Sequence, residues 1–171
     1  MSPERDVRAT GARVTRRAAL LAPFVLAACG FAPAYAPGGP GERLRGRIAV
    51  KAPDTPEGFR LRAALEERLG APGSGSATLT VTPRLTASRS GRLPGAGSVR
   101  ERLDGRAAWQ LVGADGGLLA QDEAQGFTGS TVTGPAVSVR TAESDARERL
   151  LSLLADRIVA QLLLLPPEAL P

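Results

Sequence analysis

Two sets of residues in this chain have types and spacings that could do chemistry. The first is Cys29, the only cysteine. A lone thiol allows no intramolecular disulfide and no thiolate metal cluster, which leaves covalent modification or burial in a core. The second set is arginine: Arg100, Arg102 and Arg106 fall at even spacings, and Arg84, Arg89 and Arg92 precede them. In a strand, even spacing puts Arg100, Arg102 and Arg106 on one face. Guanidinium groups pair bidentately with phosphate, so a phosphorylated ligand is the chemistry such a row suggests. The plainer reading is a solvated strand face that keeps the protein soluble. The chain has no histidine, the commonest general base and nitrogen metal ligand. No nucleophile stands beside a visible base, and neither Ser74-Gly75-Ser76 nor Gly95-Ala96-Gly97 is followed by the Gly-Lys-Ser/Thr of a phosphate loop. The expectation is no enzyme, no metal and no cofactor apart from what is attached to Cys29.

The surroundings of Cys29 decide between its two readings. Residues 1–28 carry Arg5, Arg8, Arg13, Arg16 and Arg17 against Glu4 and Asp6, a net +3, and the whole chain is +5. Residues 29–171 therefore hold only +2, and the pI near 10.8 mostly reflects the leader. With one Trp, one Tyr and three Phe outside the leader, the rest is a poor stacking platform for bases, so nucleic acid is not an expected partner. From Ala18 to Ala28 the chain is uncharged and mostly apolar. As a helix that run would rise about 16 Å, short of a bilayer core of about 30 Å. A basic start, a short apolar middle and small residues at the end make a secretory signal over 1–28. Its last residues, Leu26-Ala27-Ala28 before Cys29, resemble a bacterial lipobox, which implies a diacylglycerol on the Cys29 sulfur, an N-acyl chain and removal of the leader. Each buried methylene contributes about 0.8 kcal/mol, and two or more acyl chains make a stable anchor. Arg16-Arg17 before an apolar run partly resembles a twin-arginine signal; general export is the default route.

Past Cys29, residues 30–41 contain Pro33, Pro37, Pro40 and several glycines. That composition reads as a lipidated flexible tether over 29–46 rather than a helix or strand. The next segments alternate. Residues 47–52 (RIAVKA) read as a short strand. Thr55 caps, Pro56 enters and Glu57 starts a helix whose Leu61, Leu65 and Leu69 share a stripe, stopped by Gly70 and Pro72. Three strands follow, 77–89, 98–113 and 118–131, with a turn at 90–97 and a hairpin turn at Ala114-Asp115-Gly116-Gly117. In the middle strand Val99, Leu103, Ala107, Trp109 and Leu111 share one face; Arg100, Arg102, Asp104, Arg106 and Gln110 share the other. Period two with one polar side means a half-buried antiparallel strand. Trp109 and Phe127 are expected in the core, with Phe127 as anchor of the third strand. Thr141 to Asp145 opens a long helix, acidic in its first turn, with Leu151, Leu154, Ile158, Leu162 and Leu165 as its stripe. Asp156, Arg157 and Gln161 exclude a membrane span. The fold class is α+β: a four-stranded, mostly antiparallel (mixed) sheet with two helices on one face over 47–165, and a tail at 166–171.

The opening Cys29-Gly30-Phe31-Ala32-Pro33-Ala34-Tyr35 resembles the mature start of the alphaproteobacterial form of the LPS-assembly lipoprotein family, LptE. Residues 143–163, ESDARERLLSLLADRIVAQLL, are similar to that family's closing helix. The resemblance implies an outer-membrane lipoprotein that plugs the LptD β-barrel from the periplasmic side, assists its assembly and binds lipopolysaccharide. Gly30, in place of the Asp of an inner-membrane retention signal, agrees with outer-membrane delivery. The family resemblance makes Arg84, Arg89, Arg92, Arg100, Arg102 and Arg106 candidate lipopolysaccharide contacts. Two rivals stand beside it: an auxiliary lipid-binding lipoprotein of an ABC transporter, and a periplasmic hydrolase, which the missing histidine disfavours.

Overall fold

The computed structural model describes residues 39–73, 77–92, 99–132, 136–166 and 169, all within one unit, Ala34–Pro171. The leader and Cys29 lie outside the described residues. The elements run α1 (Pro40–Leu44), β1 (Ile48–Lys51), α2 (Pro56–Leu69), β2 (Ala77–Arg92), β3 (Val99–Val112), β4 (Leu118–Val132) and α3 (Ala136–Leu163). The four strands form one sheet in the order β1-β2-β3-β4. β1 and β2 are parallel, joined through α2, and the other two pairs are antiparallel. This is the expected mixed α+β sheet with both long helices on one side.

Local chemistry accounts for α2. The Thr55 hydroxyl accepts the Gly58 N–H at 3.0 Å, Pro56 occupies the first turn, and the Gly70 N–H bonds the Glu66 carbonyl at the far end. Leu61, Leu65 and Leu69 are buried, as their four-residue spacing requires. Arg68 then ties α2 to α3: its Nε donates to Asp156 at 2.6 Å and its Nη2 to Ser152 at 2.9 Å.

α3 lies across β3 and β4, and glycine decides how close it comes. Gly105 and Gly126 are opposite each other in the β3–β4 register. A Cβ at Gly105 would meet Leu150 at 2.9 Å, and one at Gly126 would meet Leu153 at 3.0 Å. Two facing positions without side chains therefore form a seat for the leucines of α3. Leu150, Leu151, Leu154, Ile158 and Leu162 of α3 join Leu79, Val81, Trp109 and Leu111 of the sheet in a single core. Burying one such leucine contributes about 1.5–3 kcal/mol, so α3 dominates the core.

The structure departs from the sequence expectation in four places. Pro40–Leu44 is a helical turn inside the segment read as tether, and Leu44 is buried. Proline is tolerated in a first turn, and an apolar contact with the core outweighs the turn-forming composition around it. β2 continues to Arg92, with an irregularity between Ser90 and Arg92, where a turn was expected from Ser90; a β3 partner strand reaching Val99 supplies the ladder for these polar residues. α3 begins at Ala136, a turn and more before Thr141. Propagating a helix adds one bond per residue, so β-branched residues beside a packed helix join it despite weak propensity.

Phe127 is the fourth correction. It is 58% exposed and does not anchor β4 in the core. The Gly105–Gly126 pairing turns the even positions of β4 toward α3, and there only small or polar residues stand: Ala120, Asp122, Ala124, Gly126 and Thr128. Phe127, one residue away, must face out. Trp109, by contrast, is buried at 3% exposure.

Candidate ligand-facing sheet surface

The sheet face away from the helices is built by the same period of two that fills the core. Thr80, Thr82, Arg84, Thr86 and Ser88 line it on β2; Arg102, Asp104, Arg106, Ala108 and Gln110 on β3; Gln121, Glu123, Gln125 and Phe127 on β4. Among the described residues no helix covers it.

The six candidate arginines do not form one uniform patch. Arg84 and Arg106 are directly opposite each other in the β2–β3 register, and both are exposed. Like charges facing across a ladder are unfavourable, and an anion placed between them would relieve that repulsion. Arg84 has no ion-pair or hydrogen-bond partner among the described residues. Arg106 has a loose one, Glu123, with Nη1 3.7 Å from Oε1; Gln125 holds the same carboxylate oxygen at 2.9 Å.

Arg102 is arranged differently. Its Nε donates to both oxygens of Asp104, at 2.9 and 3.1 Å, and its Nη2 lies 2.8 Å from Oδ1. Residues two apart on one strand face share a side, which is what lets this pair form. The guanidinium carbon also sits 4.2 Å from the centroid of the Phe127 ring, within cation–π range. Hydrogen bonding to Asp104 raises the pKa of Arg102 above its ordinary value, opposed by desolvation and aided by the Asp104 charge. Arg102 is thus a held charge, with its fork engaged, while Arg84 is an open one.

Arg89, Arg92 and Arg100 belong to the far end of the β2–β3 hairpin. Arg100 is opposite Ser90 and Thr131. Arg89 falls on the alternate register position from Arg84, opposite Glu101, and Arg92 follows the irregularity, opposite Val99. The fold therefore joins Arg84, Arg102 and Arg106 on one face and does not add Arg89 to that row.

The sequence puts Asp104 on this face without pairing it to Arg102, and it does not single out Glu123 or Phe127 as parts of the surface. The Arg102-x-Asp104 spacing was the available signal for the first. Nothing short of the β3–β4 register could have placed the other two.

On the helix side, a shallow groove of about 320 Å³ runs between α2 and α3 past Phe59, Arg60, Glu67, Glu148 and Ser152. A cleft of about 400 Å³ opens at the start of α2 beside Pro53, Thr55, Phe59 and Arg62. Both are open to solvent, and among the described residues no group of carboxylates could hold a metal ion. No helix among them is long and apolar enough to cross a membrane.

A one-sheet α+β domain with a helix-covered face and a bare polar face has counterparts among solved structures. A Caulobacter crescentus CB15 protein solved as a candidate lipoprotein matches with a TM-score of 0.54 at 21% identity, covering 72% of this chain and 92% of that one. Lipoprotein B from Nitrosomonas europaea, described as uncharacterized, matches with a TM-score of 0.50 at 15% identity, over 68% of this chain and 81% of that one. At these identities the likeness concerns the fold. The family model for LptE, lipopolysaccharide-assembly, matches residues 46–162. The chain belongs to that family, and the expectation raised by its opening motif and closing helix holds. No curated protein sequence matches the chain.

Proposed function

We propose that this protein is an outer-membrane lipoprotein, anchored through acyl chains on Cys29, that partners and plugs an LptD-like β-barrel and handles lipopolysaccharide on its way to the cell surface. Membership of a lipopolysaccharide-assembly family supports the general role. The observation that carries the rest is the bare polar face of the sheet. A barrel lumen is polar, so a plug needs a polar exterior around a small rigid core. Lipidation would raise the local concentration of the plug at the barrel mouth.

On this reading the lipid phosphates meet Arg84 and Arg106 first. Their charges face each other with little internal compensation, whereas Arg102 must leave Asp104 to bind bidentately. The test is purification through a C-terminal tag from native membranes, followed by identification of the partner. Recovery of a large β-barrel supports the reading; recovery of an inner-membrane ABC transporter instead replaces it with the auxiliary-subunit reading. Depletion should lower surface lipopolysaccharide, and unchanged surface lipopolysaccharide would count against the role.

A further inference from the structure

We infer that one end of the domain is a membrane-contacting tip, formed by Leu118 and Leu164 with Arg43 and Arg45 beside them, that rests on an anionic bilayer surface. The inference rests on the reading of Cys29 as an acylated residue.

The strands of the sheet begin or end in one row at this end: Ile48 is opposite Ala77, Thr78 opposite Val112, and Val112 opposite Leu118. α3 runs antiparallel to β4 and arrives at the same place. The Thr128 hydroxyl donates to the Ala146 carbonyl, Arg157 reaches the Gln125 carbonyl, and Gln161 reaches Asp122. Continuing that progression, Leu164 comes to about the level of Ala120, two residues from the start of β4. α1 packs beside α3.

Among the described residues, large apolar side chains are rarely exposed. The exposed ones among the described residues are Phe59, Leu118, Phe127 and Leu164. Phe59 and Phe127 each carry an arginine guanidinium over the ring. Leu118, 57% exposed, and Leu164, 85% exposed, have no such cover, and both are at this end. Single exposed leucines are ordinary, but two at one end beside basic residues fit a bilayer interface. Residues 39–47 supply three arginines against one carboxylate, Glu42. Arg43 and Arg45 are exposed, and each basic residue near an anionic surface contributes about 1 kcal/mol of attraction. Other carboxylates near this end have partners of their own: Asp115 accepts the Gly117 N–H at 3.1 Å, and Glu66 of α2 lies 3.7 Å from Arg62.

Chain length selects the occupant. The described domain starts at this end, at Gly39, ten residues after Cys29. Ten residues span at most about 36 Å when fully extended. Acyl chains on Cys29 would hold this end of the domain near the bilayer, so the apolar tip meets lipid without further cost in search.

The test uses the full chain purified from its producing membranes and placed in phosphatidylethanolamine–phosphatidylglycerol vesicles. An environment-sensitive dye is attached at Leu118→Cys, Leu164→Cys or, as control on the polar sheet face, Thr86→Cys. Vesicles with brominated acyl chains should reduce the dye signal at 118 and 164 by about twofold or more, with little change at 86, because only an interfacial group contacts the chains. Equal signals at all three positions would overturn the tip, as would a dye at 118 and 164 shielded from water without bromine quenching, which means a protein cover. Mass spectrometry of the same preparation reads the acylation of Cys29 separately. If Cys29 carries no acyl chain, the anchoring reading fails, and the dye arms are repeated on Cys29→Ala chains. Quenching confined to 118 and 164 there still supports the tip, and its absence sinks it.

Discussion

Along β3, Leu103, Ala107, Trp109 and Leu111 are almost fully hidden, while their neighbours Arg102, Arg106 and Gln110 stand in solvent. The two faces of one strand share a backbone, a register and a twist, yet they are held by different physics. On the helix-covered face, position is set by shape: Leu150 lies on Gly105 because any side chain there would collide with it. The indole Nε1 of the buried Trp109 donates to Gln161 at 2.9 Å, and Gln161 donates in turn to Asp122 at 3.1 Å. On the bare face, position is set by alternation alone, and the side chains find partners locally: Arg102 on Asp104 and Phe127, Arg106 on Glu123. The lesson is that the covered face fixes the fold and leaves the bare face free to vary its charges.

Substitutions can break that contrast, and the largest effects belong on the covered face. Leu154→Ala removes a fully buried leucine of α3 and should lower unfolding stability by about 2–5 kcal/mol; chemical denaturation measures it. Gly105→Val forces Leu150 and Leu154 off their seat and should cost about 1–3 kcal/mol by the same assay. A loss below half a kilocalorie would mean that α3 is not pressed on the sheet. Gln161→Leu leaves the Trp109 N–H without an acceptor and should cost about 1–3 kcal/mol, accompanied by a change in the Trp109 fluorescence.

The bare face should respond in the opposite sense. Arg84→Ser with Arg106→Ser should leave stability within about 0.5 kcal/mol. The pair should weaken lipopolysaccharide binding by about tenfold or more at low salt, since a hydrogen bond to a charged group contributes about 1.5–3 kcal/mol. Titration with purified lipopolysaccharide checks it, and unchanged affinity would return these arginines to the role of solubilising charge. Asp104→Asn is the sharper probe, because it frees the Arg102 fork. It should tighten binding by a few-fold while changing stability by less than about 1 kcal/mol, the usual ceiling for an exposed ion pair. The smallest stability effect is expected from Phe127→Ser, under about 1 kcal/mol, the cation–π contact at an exposed site being all that is lost. A loss as large as that of Leu154→Ala would show that Phe127 is buried in solution.

Much of the candidate surface was legible in the chain. The alternation of residues 98–113 puts Arg102 and Arg106 on a wet face and Trp109 and Leu111 in the core. Period two acts on every residue of a strand, so a long clean run carries its own orientation. Phe127 was misplaced because β4 is polar on both faces, and a single aromatic residue does not reveal which parity points inward. Asp104 and Glu123 were present in the pattern as polar residues, but their partners depend on distance, which spacing along one strand shows for Asp104 alone.

Residue types and periodicity by themselves determined the α+β order, the capping of α2, the leucine stripes of α2 and α3, and the polar and apolar sides of β3, because these are short-range properties of the backbone and of side-chain burial. Only tertiary structure decided that Arg84 faces Arg106, that Gly105 faces Gly126 under Leu150, that Phe127 turns outward, and that Leu44 is buried. Those outcomes depend on the register between strands and on how close α3 approaches the sheet. Both are settled by packing between residues far apart in the chain, where no local spacing reaches.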